Sequence, residues 1–178
     1  MTDEEIIKKY PWTTTGKTPD RERNIITSLD LNPVKQEIMN RKFQAKFKKI
    51  EQTEVRFEKI MCDDAQYLFV AYGSSARICQ KAVLLGREKG IKVGLLRPIT
   101  LFPYPSIELA KLSKQVKGML SVEMSAGQMV EDVRLSVAGA VPVEHYGRLG
   151  GIMPAPDEVL NVLEENFIKE KSYARHTV

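Results

Sequence analysis

"YLFVAYGSSARICQKAVLLGREKG", Tyr67 to Gly90, is the stretch that decides the fold. Its first six residues are apolar or aromatic without polar alternation, the pattern of a short strand covered on both faces. Gly73-Ser74-Ser75 then turns the chain. Ala76, Cys79, Ala82, Val83 and Gly86 recur at intervals of three and four, which predicts one buried face of a helix ending at Gly90.

The same unit repeats downstream. "KVGLLRP" (92–98) is a second apolar strand, followed by the proline-bearing loop "ITLFPYP" (99–105) and a helix capped by Ser106, with Ile107, Ala110 and Val116 inward. "MLSVEM" (119–124) is a third strand. Gln128 to Ala138 is a helix with Met129, Val130, Val133 and Val137 inward. "VPVEHY" (141–146) is a fourth strand, "GRLGGIMPAP" (147–156) a loop, and Asp157 to Ile168 a last helix carrying Val159, Leu160, Leu163 and Phe167. Strands alternating with helices imply a mostly parallel sheet with helices on both faces, a three-layer α/β/α sandwich.

Upstream the pattern is weaker. "EVRFEKIM" (54–61) carries Val55 and Phe57 in alternation and reads as a further strand. Asn32 before Pro33 is a helix start, a capping side chain ahead of proline at the first helical position, and the helix runs to about residue 51. Met39, Phe43, Phe47 and Ile50 share one side of it and are expected to be buried, with the lysines around them solvated. Residues 10–33 read as an irregular arm. The expected division is therefore an arm with one helix over 1–53, an α/β domain over 54–168, and a polar tail over 169–178.

Several function classes fall away at this point. "GKT" at 16–18 lacks the glycine five residues before Gly16, where Pro11 stands, and has neither a strand before it nor a helix behind, so it is not a phosphate-binding P-loop. Two cysteines, Cys62 and Cys79, are too few for an iron–sulfur cluster or a cysteine-rich zinc site, and His145 and His176 pair with neither at metal-ligand spacing. The net charge of +4 gathers largely around Lys35 to Lys49, where the aromatics have a helical explanation, so nucleic acid is not an expected partner. No apolar run nears the ~20 residues that span a bilayer, and Met1 to Tyr10 is no signal peptide; a cytoplasmic protein is expected.

In open parallel sheets ligands meet the carboxyl ends of the strands. Four stretches converge there: "GSSAR" (73–77), "RPITLFPYP" (97–105), "EMSAGQ" (123–128) and "HYGRLGG" (145–151). Ser74 or Ser75 is expected as a helix cap, and the free N–H groups there could hold an anion beside Arg77 or Arg97. Glu123, Glu131 and Asp132 lie near a helix start, but no histidine, metal or second carboxylate is assigned to them as a catalytic partner. Ser125-Ala126-Gly127 is small enough to let another backbone approach. His145 reads as a packed residue. No nucleophile set can be assembled, so catalytic and metal residues are expected to be none.

Those same motifs, "YLFVAYGSSARI", "GIKVGLLRPITLFPYP", "LSVEMSAGQMVEDVRLSV" and "VPVEHYGRLGGIMPAPDEVL", with "PWTTTGKTPDRERNIITSLDLNP" and "EVRFEKI" upstream, resemble the alpha subunit of 2-oxoacid:ferredoxin oxidoreductases. The branched-chain (2-oxoisovalerate) branch is the nearer likeness and the 2-oxoglutarate branch follows. The resemblance covers nearly the whole chain. It implies a transketolase C-terminal-like domain, a sheet of about five strands whose edge strand, residues 55–61, runs antiparallel to the rest. It also implies that an amino-terminal thiamine-diphosphate-type domain of the alpha subunit, absent from these 178 residues, is a partner, together with beta and gamma subunits, a delta subunit where the enzyme has one, and ferredoxin indirectly. Thiamine diphosphate, magnesium and iron–sulfur clusters are expected in the complex and none on this chain. The complex decarboxylates a 2-oxoacid oxidatively to an acyl-CoA and reduces ferredoxin. This part is expected to be a non-catalytic assembly domain, with Ser74, Ser75, Arg77, Arg97, Glu123, Gln128 and Arg148 as its interface or anion-contact rim. The alternative is a free-standing anion- or nucleotide-binding module built on Gly73-Ser74-Ser75.

Overall fold

The computed structural model describes residues 1–13, 16, 19 and 22–169. Lys17 and Thr18 of the "GKT" stretch, and the polar tail from residue 170 on, lie outside the described residues. Two units divide the chain, Met1–Ala45 and Lys46 onward.

The first unit opens with helix α1, Asp3–Lys9. Glu5 donates its N–H to the Thr2 hydroxyl at 3.3 Å and returns its carboxylate to the Thr2 N–H at 2.8 Å, a reciprocal cap. Acids fill its first turn and lysines its last, as the helix dipole favours. Ile25, Ile26, Leu29 and Leu31 follow on an exposed, non-helical segment. Helix α2, Pro33–Thr53, begins where Asn32 and Pro33 predict. The Asn32 side chain accepts from the N–H groups of Val34 and Lys35, both at 3.1 Å. Its expected buried face is not buried: no residue of α2 is, and Met39, Phe43 and Phe47 are 41–45% exposed. Apolar spacing reports a stripe that can be covered, and it is covered only in part: Ile50 is half-buried and Phe47 meets the Phe102 ring edge-on, centroids 6.1 Å apart.

The second unit carries the sheet. Its strands are β1 (Phe57–Ile60), β2 (Tyr67–Val70), β3 (Val93–Pro98), β4 (Gly118–Glu123) and β5 (Val143–Gly147), in the order β1-β3-β2-β4-β5. The pairs β2–β3, β2–β4 and β4–β5 are parallel. β1 lies at the edge, antiparallel to β3, with Glu58 opposite Arg97. The helices are α3 (Gly73–Glu88), α4 (Ser106–Leu112), α5 (Met129–Val137) and α6 (Pro156–Phe167).

Two cores flank the sheet. On one side Leu68, Val70, Leu96 and Met119 pack with Leu109 and Leu112 of α4 and Met129, Val133 and Val137 of α5. On the other, Phe69, Leu95, Leu120 and Val122 pack with Cys79, Ala82 and Val83 of α3 and Val159, Leu160 and Leu163 of α6. Strands with both faces covered need no polar alternation, and each fully buried Leu, Val or Phe side chain contributes about 1.5–3 kcal/mol. The predicted inward faces of α3 and α5 are the observed ones. That of α4 needs correction. Ile107 is 77% exposed and Leu109 and Leu112 point inward instead, while Val116, expected inward, is buried just past the helix end. Nor does Ser106 cap α4: it is the first helical residue, Pro105 precedes it, and no side chain caps the helix.

Arg87, in the last turn of α3, fastens the far end of the sheet. Its Nε donates to the Val93 carbonyl at 2.8 Å, one terminal nitrogen to the Met61 carbonyl at 2.7 Å, and the other to Asp64 at 2.8 Å.

Candidate functional site

The carboxyl ends of β2, β3, β4 and β5 come together, as the parallel topology requires, and bring the four expected stretches to one end of the sheet. The side chains there are mostly engaged with the fold itself.

Glu123, the last residue of β4, is 2% exposed. Its carboxylate accepts N–H groups of Gln128 at 2.9 Å, Met129 at 3.0 Å and Val130 at 2.9 Å, and hydroxyls of Ser121 at 3.1 Å and Ser125 at 3.0 Å. The strand-end glutamate thus supplies the cap that α5 lacks, because Gln128 makes no side-chain cap bond. Burial works to raise its pKa, but the three backbone donors and the Ser125 hydroxyl outweigh burial and hold the carboxyl below its ordinary range. A carboxylate so held is a poor proton shuttle near neutral pH, where a general acid or base needs a pKa close to the working pH.

The small residues after Glu123 do admit a close backbone, and it belongs to the same chain. A Cβ at Gly147 would stand 2.1 Å from the Ser125 carbonyl oxygen and 2.7 Å from His145 Cε1. His145 pairs in register with Ser121 and places Nε2 3.8 Å from the Glu123 carboxylate, outside hydrogen-bond range. Among the described residues, that nitrogen and the Tyr104 hydroxyl are buried without a partner. Burial first, then the Asp132 and Glu123 charges, push the Tyr104 phenol up.

Both rim arginines on strand ends are paired. Arg97 meets Glu58 across the β1–β3 pair at 3.2 Å. Arg148 and the Tyr146 hydroxyl both donate to one oxygen of Glu158, whose other oxygen accepts the Ala155 N–H at 3.1 Å. The Tyr146 hydroxyl, the Ala155 N–H and Arg148 together hold the Glu158 carboxyl low against a smaller opposing effect of burial. The sequence reading missed Glu158. Its signal was a glutamate three residues into a helix that opens on proline, a position from which a carboxylate reaches back to the chain.

The "GSSAR" turn also differs from expectation. Tyr72, not Ser74 or Ser75, is the N-cap of α3, and no side chain caps the helix. The first helical bond runs from the Ala76 N–H to the Tyr72 carbonyl at 3.2 Å, which starts the helix a residue or two earlier than a serine cap would, and Gly73 takes φ +56° at that turn. Ser74 and Arg77 are exposed, Ser75 is buried, and Gln128 is exposed. Tyr72, Ser74, Ser75, Met124 and Gln128 line a cleft of about 220 Å³ between the starts of α3 and α5.

Among the described residues no group of three or more His, Cys, Asp or Glu side chains could hold a metal. Cys62 and Cys79 are free and lie in the cores on opposite faces of the sheet. Burial raises both thiols. Iron–sulfur ligation needs several thiolates gathered at one place, and these two face opposite cores. No described helix is long and apolar enough to cross a membrane.

Residues 65–159 match the family described as "Pyruvate:ferredoxin oxidoreductase core domain II". The chain belongs to that family. This core domain II chain is 42% identical over 164 residues to the ketoisovalerate oxidoreductase subunit VorB of Methanothermobacter thermautotrophicus, covering 91% of this chain and 46% of that one. It therefore spans about half the length of that relative. In fold it is similar to a 2-oxoglutarate:ferredoxin oxidoreductase from Magnetococcus marinus (TM-score 0.66, 21% identity, 76% of this chain and 24% of that one), whose structure holds 2-oxoglutarate, coenzyme A and succinyl-CoA. It is also similar to an inactive split-gene transketolase, a beta4 tetramer (TM-score 0.53, 14% identity, 62% and 40%). Core domain II here is thus a transketolase-like α/β module with one antiparallel edge, as the resemblance implied.

Proposed function

We propose that this chain is the core domain II part of a subunit of a 2-oxoacid:ferredoxin oxidoreductase, and that its work is assembly. The intact complex would oxidatively decarboxylate a 2-oxoacid, 2-oxoisovalerate first and 2-oxoglutarate second, to an acyl-CoA and pass electrons to ferredoxin. Thiamine diphosphate, magnesium and iron–sulfur clusters would reside on the neighbouring domain and subunits, in the cytoplasm. The domain over 54–168 would be the docking element, presented to the beta and gamma subunits and to the thiamine-type domain.

The observation that carries this reading is the apolar end of the sheet. Ile99, Leu101, Phe102, Leu149, Ile152 and Met153, all on loops after β3 and β5, are 49–63% exposed. Large exposed apolar surface at one end of a small domain marks a contact with another polypeptide. Beneath it Arg97 and Arg148 are paired with Glu58 and Glu158, and Glu123 is committed to the N–H groups of α5, which supports a structural role for these side chains.

The test is co-expression of this chain with the thiamine-type domain and the beta and gamma subunits of a 2-oxoisovalerate oxidoreductase. The expected result is co-elution on gel filtration, with 2-oxoisovalerate- and CoA-dependent ferredoxin reduction by the assembly and none by the chain alone. Turnover by the isolated chain, or its separation from the partners, would overturn the proposal.

A further inference from the structure

We infer that α2 is a docking helix for another polypeptide, one that offers an apolar groove with acidic residues along one lip. Three features of the helix lead there. The first is its ridge. Met39, Phe43, Phe47 and Ile50 recur at intervals of four, four and three, so they form one line along α2. Met39 and Phe43 are 45% and 44% exposed. The second is a row of cations. Lys35, Lys42, Lys46 and Lys49 stand at intervals of seven, four and three, again one line along a helix. Lys42, Lys46 and Lys49 each directly precede a ridge residue, and one residue is about 100° of rotation, so the row borders the ridge. All four lysines are exposed, and none has an ion pair among the described residues. The third feature is the opposite border. Glu37, Asn40, Gln44 and Glu51 lie there, neutral or acidic, and Glu37 is held by Arg41 at 2.6 Å.

The occupant follows from that asymmetry. A narrow ridge with three- and four-residue spacing is what a groove between helices receives. Unpaired lysines along one border call for carboxylates on the facing lip, where complementary charge fixes the register and speeds encounter. An anionic membrane fits less well, since it favours a wide apolar face with cations on the polar side, and here one border carries Glu37 and Glu51. A second copy packed antiparallel would set lysine row against lysine row. Packed parallel, it would offer each row two glutamates, one of them already paired. The partner is therefore a different polypeptide. The inference rests on the assembly reading for the identity of the candidates, the thiamine-type domain and the beta and gamma subunits.

The experiment uses the full chain with those co-expressed partners from a 2-oxoisovalerate oxidoreductase. A zero-length carbodiimide joins lysines to carboxylates in contact, and mass spectrometry reads the products. The expected links run from Lys35, Lys42, Lys46 or Lys49 to Asp or Glu of a partner. Surface plasmon resonance gives the affinity. Lys46→Glu should weaken binding about tenfold, and reversal of all four lysines at least about a hundredfold, with a loss of salt dependence. Lys48→Glu, on the back of the helix, should leave it within about twofold. The lysines are exposed, so circular dichroism melts of these variants should match wild type. Assembly that survives the fourfold reversal, with no links from the row, overturns the inference and leaves the assembly reading standing. Failure of the wild-type chain to co-elute with the partners overturns both. Binding of the isolated chain to phosphatidylcholine–phosphatidylserine vesicles, to duplex DNA or to itself, lost on the same reversal, would assign the row elsewhere and also overturn the inference.

Discussion

Glu123→Gln isolates what one buried carboxylate does for this domain. The side chain keeps its shape but loses its charge and one acceptor. One Glu123 oxygen takes the N–H groups of Gln128 and Met129 and the Ser125 hydroxyl; the other takes the Val130 N–H and the Ser121 hydroxyl. A glutamine serves the larger set best with its oxygen there, which turns its NH2 toward Val130 N–H. The Ser121 hydroxyl can rotate to accept; the Val130 amide cannot. One buried donor is left without a partner, at a cost of about 1–3 kcal/mol. Loss of the charge at the α5 N-terminus costs about 1 kcal/mol more. The expected destabilisation is about 2–4 kcal/mol. At roughly 2–4 °C per kcal/mol for a chain of this size, Tm should fall by about 5–15 °C. Circular dichroism melts read this directly, with Glu131→Gln, on the exposed side of α5, as the control. The pH dependence gives a second reading. The folded-state pKa of Glu123 is depressed, so its stabilisation is fully present above the ordinary value of about 4.5 and is lost as pH falls through the lower folded value. The gap between wild type and variant should be constant from pH 7 to about 5 and narrow as pH falls below the ordinary value of about 4.5. A variant that melts within about 2 °C of wild type at pH 7, or a gap that persists unchanged into acid, would refute the reasoning.

Gly147→Ala should destabilise by at least about 1–3 kcal/mol, because the new Cβ meets the Ser125 carbonyl oxygen, a backbone atom that cannot step aside; chemical denaturation measures it. Arg87→Ala removes three hydrogen bonds that tie α3 to β3 and to residues 61–64, and should cost about 1.5–3 kcal/mol in the same assay. Cys62 and Cys79 are both buried, with thiols pushed up by burial, so neither should react with a thiol reagent in the native protein, and both should react once denaturant unfolds it.

The sheet and the helices of the second unit were legible because their signals are local. Runs such as Leu68 to Ala71 can only be doubly covered strands, and the spacing of Cys79, Ala82, Val83 and Gly86 names the face of α3 that turns inward. The fate of α2 was not legible, since apolar spacing fixes which side would be covered but not by what. The α3 cap was misread because the Tyr72 carbonyl, a backbone group, accepts the first helical bond ahead of the serines, and nothing in the local sequence marks that carbonyl over a serine side chain. At the strand ends, the sequence located residues that the parallel topology brings to one end of the sheet, but not their bonds. Glu123 is answered by backbone N–H groups, which leave no mark in a sequence. Arg97 and Arg148 read as free cations only because Glu58 and Glu158 lie 39 and 10 residues away along the chain.

Glu158 holds Tyr146 and Arg148 on one side and the Ala155 backbone on the other. The segment that bears Leu149, Ile152 and Met153 is therefore cinched at both of its feet by a single carboxylate. A hoop fastened in advance gives up little conformational freedom when something presses onto it, so each apolar contact it forms is retained almost whole as affinity.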